Sequence, residues 1–413
     1  MSVQRQRQKI CKFTVTISTF YTLIILMIKI MNIKNCIIII LSMMVSFHVS
    51  SQTFSNEFLS IGVGARSHGM ARAQVSVVDD ITSAYWNPAG LSNIDAFQLS
   101  YMHSEWFAGI SKYDYGGVAF PFSNASSKSS LALNFIRFGV DNIPNTITFR
   151  EPDGSFNFDN ITQFSAVDYA FLVSYGRELK LKNVSVGGTA KIITRNIGSF
   201  ANAAGFGIDL GAQWRGNNGW SAGLVLRDAT STFNSWKFTF SNDELAVFDF
   251  TENEVSSAST EVTKPSFVLS GAKKINFKGD KFGVLPVLDL EFTTDGRRNV
   301  LFQGNTISMQ PSFGLEFDYK SIIYLRTGAG NFQTELEDIG LGERNTFQPN
   351  LGLGLKIGRV SIDYALTDIG NSSGALYSHI GSLKLDFGSV RLKKKDIELN
   401  NQDEYIILDQ DDF

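Results

Sequence analysis

From about Gln98 to Phe387 the chain repeats short segments in which apolar residues alternate with polar residues or glycine. Segment 204–215 is the clearest. Ala204, Phe206, Ile208, Leu210, Ala212 and Trp214 fall on one face, and Gly205, Gly207, Asp209, Gly211, Gln213 and Arg215 on the other. A period of two sets successive side chains on opposite faces of a β-strand. An apolar face backed by glycine and charge suits a strand with lipid on one side and an enclosed interior on the other.

The pattern predicts fourteen strands: 95–102, 113–120, 129–137, 166–176, 184–195, 203–215, 219–227, 264–273, 281–293, 309–318, 321–328, 347–357, 359–366 and 376–387. An even count is what a bacterial barrel needs when both chain ends lie in the periplasm. The connections agree. Those after even-numbered strands are mostly short, such as Gly216–Asn218 and Tyr319–Lys320, whereas 138–165, 228–263, 294–308 and 329–346 are long. Outer-membrane barrels have short periplasmic turns and long outer loops. The fold class is therefore all-β, a 14-stranded antiparallel transmembrane barrel spanning 94–387. A soluble β-sandwich would instead carry its polar faces outward around a shared apolar core.

Within the strands, Asp209, Asp289, Glu291, Glu316, Asp318 and Asp363 fall on the interior side, as do Arg215, Arg227, Lys356 and Lys384. Charges are costly toward lipid, and inside a lumen they can satisfy one another. Residues 52–93 do not alternate. Gly62, Gly64 and Gly69 permit tight turns, the spacing predicts short helices over 70–78 and 79–85, and Asn87-Pro88 signals a turn. This stretch is too apolar to remain in water and too short for a domain, so it is expected to fold into the barrel mouth as a plug.

The ends differ from the middle. Residues 1–51 carry Arg5, Arg7, Lys9, Lys12, Lys29 and Lys34 without an acid, and an apolar core follows Cys36. This reads as an export signal cleaved after Ser51. The alternative is an anchor, against which the short apolar core argues, since a helical span needs about 20 residues. A start at Met31 would account for the extra apolar stretch at 20–30. Removing those six positive charges moves the net charge from −3 to −9. An acidic chain argues against nucleic acid as a partner. Cys11 and Cys36, the two cysteines, precede residue 52, so no disulfide or thiolate site is expected in the exported part. Residues 388–413 begin basic and end acidic, and read as a periplasmic tail.

The N-terminal block also resembles a known family. The motifs are I-G-x-G-A-R-x-x-G-M-x-x-A at 61–73, Asp79-Asp80, and Y-W-N-P-A-G-L at 85–91, with shorter echoes at 362–365 and 378–387. They look like the signature of the PorV/PorQ family of Bacteroidetes outer-membrane proteins, within the FadL-like barrel class. The resemblance implies a component of the type IX secretion system and its allied gliding machinery. Its partners would be the large translocon barrel, the C-terminal signal domains of secreted cargo, and surface attachment proteins. The wider FadL-like class implies another function, uptake of hydrophobic small molecules through a lumen. By this resemblance Gly64, Arg66, Gly69, Asp79, Asp80, Asn87, Pro88 and Gly90 form the plug motif.

The connection 228–263 carries Phe233, Trp236, Phe238 and Phe240, with acids at Asp243, Glu244, Asp249, Glu252 and Glu254. Aromatics in an outer loop either fold over the rim or anchor a protein partner. Enzyme chemistry has little basis. His68, His103 and His379 are far apart, no nucleophile elbow appears, and neither metal-ligand nor calcium-loop spacing occurs. No cofactor, metal or catalytic residue is expected.

Overall fold

The computed structural model describes residues 55–106, 109–124, 127–150, 155–255, 258–279, 281–336, 342–367, 369 and 378–388. The expected signal (1–51) and all of the expected tail beyond Gly388 lie outside the described residues. Seventeen strands occur among the described residues: β1 Phe97–Trp106, β2 Ser111–Asn124, β3 Ser127–Asn145, β4 Thr162–Glu178, β5 Val184–Ile197, β6 Ala201–Arg215, β7 Trp220–Arg227, β8 Thr232–Phe238, β9 Ala258–Thr263, β10 Ser266–Lys273, β11 Ile275–Phe277, β12 Phe282–Thr293, β13 Ser308–Tyr319, β14 Ile323–Leu336, β15 Glu343–Ile357, β16 Val360–Thr367 and β17 Ser378–Phe387.

Fourteen of them close a ring. β1 to β7 pair in sequence, β7 pairs with β10, β10 with β12, β12 to β17 pair in sequence, and β17 returns to β1, every pair antiparallel. Closure is in register from Phe97↔Phe387 to Glu105↔His379. The fourteen alternating segments read from the sequence correspond one to one with these strands, in a closed antiparallel barrel. Such a barrel is a multi-pass protein of the outer membrane. Closure leaves no free edge around the ring, so its backbone groups pair between strands without needing water.

The faces follow the alternation. In β6, Phe206, Leu210 and Trp214 are exposed while Gly207, Asp209 and Gln213 are buried. Leu133, Phe171, Val173, Leu224, Phe313 and Leu353 extend the exposed apolar surface around the ring. In water this surface would be a liability; in a bilayer it is the solvated face.

The connection 228–263 is not simply a loop. β8 pairs with the far half of β6 and β9 pairs with β8, so the strand pair continues beyond β7 and β10. Here Thr232, Asn234 and Trp236 face inward, whereas Phe233, Ser235 and Lys237 face outward. Polar and aromatic residues on both faces erase the hydrophobic contrast by which a strand is recognised. The helix α3 at Asn242–Phe250 joins the two strands, opened by a capping box between Ser241 and Glu244. Two shorter helices precede the barrel, α1 at Ala65–Gly69 and α2 at Ser83–Trp86.

Residues 55–94 run through the barrel interior. They enter beside β9, where Asn56 Nδ2 donates to Thr263 Oγ1 at 2.9 Å, and leave next to β1. The segment holds α1, α2 and two 3₁₀ turns, Glu57–Ser60 and Pro88–Asn93. The helix predicted over 70–78 does not form, because Ala71 and Arg72 adopt φ of 50° and 70° and end α1 in the left-handed region. Of the second, only α2 is helical.

Glycines in the wall make room for this segment. A Cβ on Gly223 would lie 2.7 Å from the Val75 carbonyl oxygen, one on Gly314 2.8 Å from Met70 Cβ, and one on Gly352 3.0 Å from Gly69 Cα. Gly176, Gly187, Gly211 and Gly328 would collide with Pro88, Asn87 or Met70 more closely still. Glycine within a strand lowers its stability. At these positions it allows main chain to lie against main chain.

Candidate functional site: the barrel interior

The lumen has two chemistries. At the end with the short turns it is ionic. Glu316 on β13 is buried between two guanidinium groups. Arg66 Nε reaches it at 3.0 Å and Arg326 Nε on β14 at 2.8 Å, and Arg326 also bonds Asp363 on β16 at 2.6 Å. Asp79 pairs with Arg66 and with Arg215 on β6, each at 3.4 Å. Asp80 pairs with Lys384 on β17 at 3.1 Å, and Lys274 pairs with Asp318. A cavity of about 430 Å³ lies among these charges, lined by Asp79, Asp80, Arg215, Lys274, Lys356 and Lys384 among others. Of the charges expected to face inward, Arg215, Glu316, Asp318, Asp363 and Lys384 therefore meet the segment or other residues of the wall at this end, and Lys356 lines the cavity.

These contacts fix ionisation in the segment. Burial alone would raise the Asp80 carboxyl. The charge of Lys384, the hydrogen bonds from Thr82 and the charge of Arg66 outweigh it and hold the pKa at about 2. Burial would likewise discharge Arg66, but Glu316 and Asp79 hold it cationic, above the usual arginine range. Burial of His68 disfavours its cation, the charge of Arg72 adds to this, and the hydrogen bond to the Gly62 carbonyl does not offset it. Its pKa falls to about 4, and its Nε2 lies 3.2 Å from the Gly62 carbonyl oxygen.

One side of the remaining lumen is apolar. Met102, Tyr113, Ile136, Leu172, Ile193 and Ile380 of β1 to β5 and β17 are buried, together with Phe58, Val63, Tyr85 and Trp86 of the segment. The Tyr113 hydroxyl in this cluster is buried with no hydrogen-bond partner among the described residues. The main chain enters the cluster at Gly64, whose N–H points to Met102 Sδ at 2.9 Å.

All eight residues singled out from sequence sit in the lumen. Gly64, with φ of 86°, precedes α1. Gly69 touches β15 through Gly352. Asn87 Nδ2 donates to the carbonyl oxygens of Val75 at 2.9 Å and of Ala212 on β6 at 3.1 Å. Its Oδ1 accepts from Ala89 N at 3.2 Å, capping the turn that Pro88 begins. Gly90 lies too close to Val78 O for any side chain, since a Cβ would be about 2.5 Å away. With Arg66, Asp79 and Asp80 in the ion pairs above, the motif supplies both the segment's internal turns and its ties to the wall.

The aromatic candidates divide. Phe233, Trp236 and Phe238 belong to β8. Trp236 is buried beneath Arg195, whose guanidinium carbon lies 5.0 Å from its ring, whereas Phe233 is exposed. Phe240 stacks edge-on with Phe248 of α3 at 5.0 Å.

Several functional candidates escaped sequence reading. The wall glycines carried a signal, recurring at inward positions, but nothing local tells a crowded glycine from a merely small one. The break between β7 and β8 carried none. β6 pairs with β7 over 210–215 and with β8 over 201–206, leaving Gly207, Ile208 and Asp209 outside both ladders. Opposite them Asp228 and Ser231 adopt φ of 50° and 59°. Behind the break, Lys191 Nζ lies 2.7 Å from Asp209 and 2.6 Å from Asp228. A second cavity, of about 90 Å³, adjoins it and is lined by Tyr85, Arg227, Glu291 and Arg298 among others.

No family model and no curated protein matches the chain. Solved structures with a similar fold include the CymD monoaromatic hydrocarbon channel, at 12% identity over 79% of this chain and 98% of that one, with a TM-score of 0.47. They also include the Ralstonia pickettii toluene transporter TbuX, at 11% identity over 81% and 100%, with a TM-score of 0.48. A Pseudomonas aeruginosa FadL homologue matches at 11% identity over 79% and 98%, with a TM-score of 0.47. At this identity the likeness concerns the barrel alone. The expected membership of the PorV/PorQ family and the expected role as a type IX cargo shuttle with ties to gliding are corrected: no family model matches, and the structures found are described as a monoaromatic hydrocarbon channel, a toluene transporter and a FadL homologue. The motif at 61–91 misled because its glycines, Asn-Pro turn and paired acids meet the packing needs of a segment inside such a barrel. Those needs are set by the lumen and carry no information about a partner outside it.

Proposed function

We propose that this chain is a non-enzymatic outer-membrane channel for small apolar molecules, with residues 55–94 acting as its plug. The observation that carries the reading is the apolar side of the lumen, from Met102 to Ile380, beneath a cover of Phe58, Val63, Tyr85 and Trp86. A pore for ions or sugars needs a wetted wall, and an apolar constriction resists water. A passage for apolar solutes needs such a lining, together with a cover that can yield. Gly64, Arg66, Gly69, Asp79, Asp80, Asn87, Pro88 and Gly90 hold that cover in register, and the break between β7 and β8 is the proposed exit toward the bilayer.

A reversible lock tests this reading. Ser76 Oγ on the segment and Ser270 Oγ on β10 are 2.8 Å apart, and residues 52–413 contain no cysteine. Ser76→Cys with Ser270→Cys therefore ties the segment to the wall on oxidation. In cells lacking other routes for apolar solutes, labelled toluene uptake should fall to the empty-vector level when the pair is oxidised and recover on reduction. Uptake equal to empty vector in both states would refute the channel. Uptake above vector but indifferent to oxidation would refute movement of the segment.

A further inference from the structure

The outer wall carries a groove that the lumen does not explain. Across β10 to β15 the lipid-facing surface drops where Gly271, Pro286 and Ala329 stand in place of large residues, with Trp220, Phe313 and Phe347 rising at the sides. The depression holds about 860 Å³ and is almost wholly apolar. Pairing in the ladders carries it continuously from strand to strand, through Gly271↔Leu288, Leu288↔Phe313, Phe313↔Ala329 and Ala329↔Pro349. A Cβ added at Gly271 would meet nothing within 4 Å, so no protein atom fills the space.

The end of the groove nearest the short turns is cationic. Lys273 lines it, with its ammonium 4.7 Å from the Trp220 ring. At the same end of neighbouring strands, Lys278 lies 5.9 Å from the Phe282 ring and Lys320 5.3 Å from the Tyr319 ring. None of these three lysines has a carboxylate partner among the described residues, although the lumen pairs its charges closely. Aromatic rings with lysines beside them mark the level where a membrane's hydrocarbon meets its headgroups.

We propose that this groove is a binding site for a glycerophospholipid of the leaflet on the short-turn side, with an acyl chain along Gly271, Pro286 and Ala329 and the phosphate against Lys273. The surroundings select this occupant. The groove faces hydrocarbon, so a soluble peptide has no access to it. A second copy of the chain would bring its own lysines to the same contact, where like charges oppose. A phospholipid supplies both missing parts, an apolar tail for the floor and an anion for the unpaired ammonium groups.

Native mass spectrometry of the full exported chain in detergent, with added phosphatidylglycerol or diacylglycerol, tests the site. Gly271→Leu places a side chain in the groove at a position where a Cβ meets no atom within 4 Å, and Lys273→Gln removes the cation; retention of the heat-modifiable gel shift verifies folding of both. One phosphatidylglycerol adduct should persist on the native protein and be lost from Gly271→Leu. It should weaken about fivefold in Lys273→Gln, and diacylglycerol, lacking the phosphate, should bind the native protein no better than phosphatidylglycerol binds Lys273→Gln. Equal phosphatidylglycerol retention by the native protein and Gly271→Leu would overturn the proposal. So would a native dimer that Gly271→Leu converts to monomer while lipid retention stays the same.

Discussion

Gly187 and Gly188 are neighbours on β5 that point to opposite faces, which makes them a controlled pair. On Gly187 a Cβ would lie 2.7 Å from Ala89 N and closer still to the Pro88 carbonyl group. Both are main-chain atoms in a capped turn, so no flexible side chain can yield. On Gly188 the nearest atom would be Leu210 Cδ2 at 3.5 Å, an ordinary contact. Replacing glycine by alanine also stiffens the unfolded chain, a gain of about 0.4–1 kcal/mol where the backbone permits it. That gain cancels when the segment leaves an intact wall, because β5 stays folded in both states. Only the overpacking remains, at about 1–3 kcal/mol. Gly187→Ala should therefore raise the population of the released segment about 5- to 150-fold, and Gly188→Ala should leave it unchanged. Hydrogen exchange read by mass spectrometry on peptides from 83–93 measures this directly, with β5 peptides as the internal control. Equal protection of 83–93 in the two variants would refute the close approach of segment and wall, and with it the account of the inward glycines.

Two further predictions concern the same segment. Asn87→Ala removes two buried amide donors and a turn cap, so the segment's docking should weaken by about 2–3 kcal/mol. Asn87→Asp, which keeps the acceptor but loses both donors, should do no better; full protection from proteolysis in either variant would contradict this. His68 titrates at about 4 when folded, against 6.5 as its ordinary value. The unfolded form therefore takes up the proton first, and the contribution of His68 is complete above pH 6.5 and is lost as pH falls toward 4, by up to about 3 kcal/mol. The difference in stability between the native protein and His68→Gln, followed by tryptophan fluorescence, should shrink across that window; a difference independent of pH would exclude burial of the neutral ring.

Legibility varied with the range of the interaction. The strands between 95 and 387 were readable because lipid selects every second residue, and the ring closes with that set. Phe206, Leu210 and Trp214 face outward, and Asp209 and Gln213 inward, as their parity requires. Strand ends were less readable. β3 continues to Asn145 and β14 to Leu336, beyond the apolar belt, where polar side chains serve on both faces and the alternation loses contrast. The same loss concealed β8 and β9. The eight residues between Gly64 and Gly90 stood out as turn formers and charges within an apolar stretch, but their partners did not. Arg66 meets Glu316 and Asp80 meets Lys384, and in each pair nothing near either residue in the chain specifies the other.

The sequence by itself determined which face of each ring strand meets lipid, how many strands close the ring, and that the stretch before them belongs to a different kind of structure. Those are consequences of local periodicity against a two-sided solvent. Only the tertiary structure decided that the interior is ionic at one end and apolar along one side, that the partner of β6 changes from β7 to β8 across Gly207–Asp209, and that inward glycines lie against Met70, Asn87 and Pro88. These depend on which distant segments the closed ring brings together. Periodicity states that a residue points inward, and the packing of the lumen decides what it meets there.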